Sequence, residues 1–99
     1  MRALAAAALG ALIAGSGMAQ AASPDAWREH AAEVAKACAA ASGLAKVKPR
    51  GPAAEFEAHS ALLLDGRVAS GAMKGTPERM ACLFDKQTRK ASVTPVQGW

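Results

Sequence analysis

Two histidines, two cysteines and eight carboxylates are the groups in this 99-residue chain that could do chemistry. Their spacing supports little of it. No H-x-x-x-H, H-E-x-x-H, C-x-x-C or clustered Asp/His set occurs, so neither a zinc or transition-metal site nor a cofactor is expected. His30 falls on a helix flank. His59 precedes Ser60 directly, and strand neighbours point to opposite faces, which disfavours a base–nucleophile pair. Glu55 and Glu57 could share a strand face, but no apolar pocket is evident around them to drive their pKa values apart. Asp65 and Asp85 sit in turn-like segments, and Gly66, Gly71 and Gly75 do not form a phosphate-cradling loop before a helix. The inventory points away from an enzyme.

The cysteines read differently, because the chain begins like an exported protein. Arg2 is a positive n-region, Ala3–Ala14 an apolar stretch, and Ala19-Gln20-Ala21 a small-x-small cleavage site. About 12 residues are too few for a membrane span, which needs roughly 20. Residues 1–21 are therefore expected to be a cleaved signal peptide, and 22–99 a single domain with no transmembrane segment, in the bacterial periplasm or the medium. In that oxidising setting Cys38 and Cys82 are expected to form one structural disulfide.

Without Arg2, the chain carries 11 Lys and Arg against 8 Asp and Glu. Lys46, Lys48 and Arg50 alternate so as to share a face, and Lys86, Arg89 and Lys90 form a second cluster. Together they are a candidate partner-binding basic patch for an anionic envelope component or an acidic protein surface. The competing reading is that they are edge-strand gatekeepers and solvated turns. Nucleic acid is not an expected partner: Tyr is absent and the aromatics do not interleave with the basic residues. Trp99 follows Gln97-Gly98, and the sequence leaves open whether its indole folds back or stands exposed as an anchor.

The elements that must position these groups follow from periodicity. Ser23-Pro24-Asp25 is a helix start. Trp27, Ala31, Val34, Cys38 and Ala41 then recur at four- and three-residue steps, up to the stop at Gly43. Trp27 is expected in the core. Leu44–Lys48 reads as a short edge strand or an extended connection before a Pro/Gly loop. His59–Leu64, Asp65-Gly66 and Arg67–Ala72 read as a hairpin turning on Asp-Gly. Arg79–Phe84 alternates with Met80, Cys82 and Phe84 on one face. After a polar turn at Asp85–Thr88, Arg89–Val96 closes a second hairpin with Ala91 and Val93 inward.

The expected fold is α+β: one N-terminal amphipathic helix on a three- to four-stranded antiparallel sheet, stapled through Cys38 and Cys82. The core is small. The chain is 52% hydrophobic, but 15 of its apolar residues lie in the first 21, and half of the rest are Ala. Eighteen larger apolar side chains remain, too few for a large buried active site.

Arg79-Met80-Ala81-Cys82-Leu83-Phe84-Asp85, with Cys38–Leu44 upstream and Leu62-Leu63-Leu64-Asp65-Gly66 between, resembles small exported bacterial proteins of uncharacterised function that carry a helix Cys and a Cys-Leu-[Phe/Tyr]-Asp strand. The resemblance implies an envelope protein with one disulfide and supplies no active-site residues. Cystatin-like and PepSY-like modules share the layout, which is an analogy of architecture alone. The expected function is non-enzymatic binding of a protein or envelope component through the open sheet face or its basic edge, an inhibitor being one form. The alternative is an accessory or structural envelope protein held near anionic polymers by that edge. A small enzyme using His59 with Glu55 or Glu57 is the weakest option.

Overall fold

The computed structural model describes residues 23–99; the expected signal peptide lies outside the described residues. Helix α1 spans Pro24–Ser42. Ser23 caps it, its Oγ accepting from the Ala26 N–H at 3.3 Å and its carbonyl from the Trp27 N–H at 3.1 Å. The helix ends where Gly43 turns to φ +67°. There the Ser42 hydroxyl donates to the Ala39 carbonyl at 2.8 Å and accepts from the Leu44 N–H at 3.1 Å, satisfying groups the helix end leaves over.

Five strands follow: β1 Ala45–Pro49, β2 Ala54–Glu55, β3 His59–Arg67, β4 Pro77–Asp85 and β5 Ala91–Pro95. They form one antiparallel sheet in the order β1-β3-β4-β5, with the two-residue β2 also pairing β3. The Arg50 N–H donates to the Leu63 carbonyl at 2.8 Å between β1 and β2. Those two strands thus form one interrupted edge, and Pro49 and Pro52 explain the interruption. The architecture is the expected α+β pair, with one strand more than expected because that edge is split.

The helix lies on the sheet face to which Leu62, Leu64, Cys82 and Phe84 point. Val34 and Cys38 complete the buried apolar core, and Ala35, Ala37, Val47, Ala53, Ala91 and Val93 pack around it. Cys38 and Cys82 form the disulfide, with Cα atoms 5.8 Å apart. The buried stripe is Val34, Cys38 and Ser42, one i+4 row. Ala31, Ala41 and Trp27, placed on the stripe by sequence, are exposed. Alanines bury too little area to set a helix's rotation, and the bond through Cys38 selects the row that faces the sheet.

The Asp65-Gly66 turn is not present. β3 runs through both residues, which pair with Arg79 and Glu78, and the reversal comes later at residues 68–76. Arg67–Ala72 is therefore not a strand. Its apolar residues are Val68, Ala69 and Ala72, a poorer partner for Leu62 and Leu64 than the Met80, Cys82 and Phe84 row of β4. Gly71 and Gly75, both at φ +88°, supply the positive φ that the actual turn needs. Gly66 has a different purpose. A Cβ there would lie 2.9 Å from Leu44 Cβ and 3.1 Å from the Ala45 carbonyl oxygen, so its hydrogen lets β1 close on β3.

β1 carries a bulge between Ala45 and Lys48, where the pairing gains one residue over β3. Lys46 occupies it at φ 50°, a left-handed conformation costing an L residue other than Gly about 1–2 kcal/mol.

Candidate functional site

Because β3 and β4 alternate, their odd-numbered residues form the sheet face turned away from the helix. At its centre Ala61 pairs with Leu83 and Leu63 with Ala81. Leu83 is 46% exposed, while Ala61, Leu63 and Ala81 are half-buried. At one end His59 and Asp85 are cross-strand partners, Nε2 to Oδ2 3.7 Å. At the other, Arg79 Nε donates to Asp65 Oδ1 at 2.6 Å, and Arg50 stands 3.5 Å from Oδ2. An apolar centre is thus framed along the strands by two charged pairs.

Both aspartates titrate low. The hydrogen bond from Arg79, followed by the charges of Arg79 and Arg50, holds the Asp65 carboxyl below its ordinary value against desolvation. The Asp85 carboxyl is held down first by the Thr88 N–H, at 3.0 Å, and the Gln87 N–H, at 2.8 Å, with His59 contributing. Asp85 is therefore the hydrogen-bonding acceptor of the β4–β5 turn, the role its position implied. Arg89 completes that turn at φ 63°.

The basic residues differ in their surroundings. Arg50 is turned to Asp65. Lys86 lies 3.2 Å from Glu55 Oε1 and donates to the Phe56 carbonyl at 2.6 Å. Arg89 pairs with Glu33 of the helix and stands 6.0 Å over the Phe84 ring. Lys46, Lys48 and Lys90 are exposed and, among the described residues, carry no ion pair. The even alternation expected of Lys46 and Lys48 is replaced by the bulge. Even so, both lysines reach an open cleft of about 390 Å³ at the Arg67–Pro77 end of the sheet, shared with Asp65, Arg67, Glu78 and Arg79. A second open cleft, about 420 Å³, lies between the helix end and the 68–76 loop, against Leu44, Val68, Met73 and Met80.

The candidate acid–base residues are dispersed. Ser60 is fully buried on the helix side and His59 is on the opposite face, as strand alternation requires. Ser60 Oγ instead donates to Glu55 Oε1 at 2.7 Å. Together with Lys86 this makes a Ser–Glu–Lys relay that ties β2 to β3 and to the β4–β5 turn. Glu55 and Lys86 come together only through register, so sequence reading paired Glu55 with Glu57 instead. Among the described residues, no three His, Cys, Asp or Glu side chains converge as metal ligands would. His30 meets the edge of Trp27, ring centroids 6.1 Å apart.

Trp99 is held by its backbone, and its indole does not fold back into the core. Its carbonyl accepts from Arg79 Nη1, which anchors the backbone beside the Asp65 pair, and the residue remains 64% exposed. Among the described residues, no helix is long and apolar enough to cross a membrane. The chain shows no match to any family model, curated protein or solved structure.

Proposed function

We propose that the protein is a non-enzymatic binding module of the bacterial periplasm or the medium, docking a protein partner on the sheet face opposite the helix. The observation that carries this reading is the apolar centre of Ala61, Leu63, Ala81 and Leu83, uncovered by the helix and framed by His59–Asp85 and Asp65–Arg79. An apolar middle with a charged margin is the anatomy of a protein interface, and exposed Trp99 beside Arg79 adds the residue types that most often anchor one. The disulfide favours an oxidising compartment, consistent with export directed by residues 1–21. Inhibition of a hydrolase is one concrete form of such docking.

The test is affinity capture of the oxidised protein from its native envelope extract, beside a Leu83→Glu variant. One partner retained through a moderate-salt wash and lost in the variant supports docking on this face. Recovery that disappears with salt alone, or that the variant leaves intact, removes it.

A further inference from the structure

The cleft at the Arg67–Pro77 end of the sheet has a charge imbalance of its own. Arg79 and Asp65 are bound to each other at 2.6 Å. Arg67 Nη1 donates to the Gly75 carbonyl at 2.8 Å, a neutral acceptor that leaves its charge uncompensated. Among the described residues, Lys46, Lys48 and Glu78 have no ion-pair partner. Three free cations against one free carboxylate leave the cleft with two positive charges in excess.

Lys46 adds a second, independent observation. It takes the first position of the bulge in the left-handed region at φ 50°, where glycine is the usual occupant. Strained backbone of this kind concentrates at ligand clamps, and here the strained residue contributes a cation to the cleft. An edge strand needs only charge to resist pairing, and Lys48, also exposed, already supplies it.

We propose that this cleft is an anion site for a phosphoryl group held by Lys46, Lys48 and Arg67. A phosphomonoester carries about −1.5 to −2 at neutral pH and presents three acceptor oxygens, which matches both the excess charge and the number of free cationic side chains. The roughly 390 Å³ of space admits the group and a small organic part. The Asp65 carboxylate, covered by Arg79 and Arg50, presents little repulsion, and Glu78 sets the limit on net attraction.

The proposal goes beyond protein docking and is separable from it, since Leu83→Glu should leave phosphate binding unchanged. The test follows backbone amide shifts of the oxidised protein by NMR during titration with inorganic phosphate and glycerol 3-phosphate at fixed ionic strength, with acetate as the singly charged comparison. The expected result is saturable shifts confined to residues 46–48, 65–67 and 78–79, several-fold weaker with acetate. Lys46→Gly and Lys48→Gln should each weaken binding about fivefold or more, a loss of roughly 1 kcal/mol. Lys46→Gly should melt no lower than the parent, because glycine is at ease in the bulge. Co-sedimentation with phosphatidic acid vesicles, lost in Lys46→Gly, would place the phosphoryl group on a lipid; saturation by soluble phosphate without vesicle binding would place it on a free ligand. Unsaturable shifts spread over Lys36, Lys74 and Lys90 as well, or full binding by both variants, would overturn the proposal.

Discussion

Asp65 accepts from Arg79 across the β3–β4 ladder and faces Arg50 beyond β1, while Asp85 accepts two backbone N–H groups of the turn that follows β4. Both carboxyls are held below their ordinary value of 3.8. A depressed folded-state pKa contributes stability that is fully present above the unfolded value and is lost as pH falls through the folded one. The melting temperature is therefore expected to be level above about pH 5 and to fall below pH 4. Asp65→Asn and Asp85→Asn should each lower it at neutral pH and make the acid decline shallower, as followed by circular dichroism. Asp85 was readable from its place in a polar run. Asp65 was not, because an Asp followed by Gly carries the same local signal whether the chain turns there or continues. Its partner lies 14 residues away, and only the pairing register reveals it.

At the scale of elements, α1, β4 and β5 were readable because each carries a complete signal: capping residues, a strict alternation, or both. The 59–76 stretch misled because turn chemistry at Asp65-Gly66 competed with a better apolar match farther along the chain. Leu62 and Leu64 gain more from the Met80, Cys82 and Phe84 row than from the alanines of 67–72. Beside Asp65, Gly66 reads as a turn residue, whereas its function is the absence of a side chain where Leu44 and Ala45 approach β3. Gly66→Ala is therefore expected to push β1 off β3 and to destabilise the fold by about 1–3 kcal/mol. Denaturant unfolding measures the change, and faster amide exchange in β1 than in β5 would localise it. Basic alternation in β1 was readable as a pattern but not as geometry, since nothing local announces a bulge with Lys in the glycine position.

At the scale of the molecule, six buried apolar side chains form the core among the described residues, and two of them are the cysteines joined to each other. The bond spans 44 positions of chain, and closing a loop of that size lowers unfolded-state entropy by an amount worth about 4 kcal/mol at 25 °C. That is comparable to the roughly 3–5 kcal/mol a core this small supplies. Reduction, or a paired Cys38→Ser, Cys82→Ser replacement, is expected to lower the melting temperature by more than 10 °C; a melt unchanged by reductant would remove the staple from the account. The pairing and the layer arrangement were readable because two independent patterns, helical and alternating, each turned a cysteine inward. Which face would be left open was implied as well. Its charged frame was not, since His59–Asp85 and Asp65–Arg79 exist only in the register of β3 with β4. The central functional claim concerns that face, and it is tested most directly by site-specific photo-crosslinking in the native envelope, with the photoreactive residue at Leu83 or at Lys36 on the exposed side of the helix. One defined protein adduct from position 83 and none from position 36 is the predicted result; the same adducts from both positions, or none from 83, would contradict it.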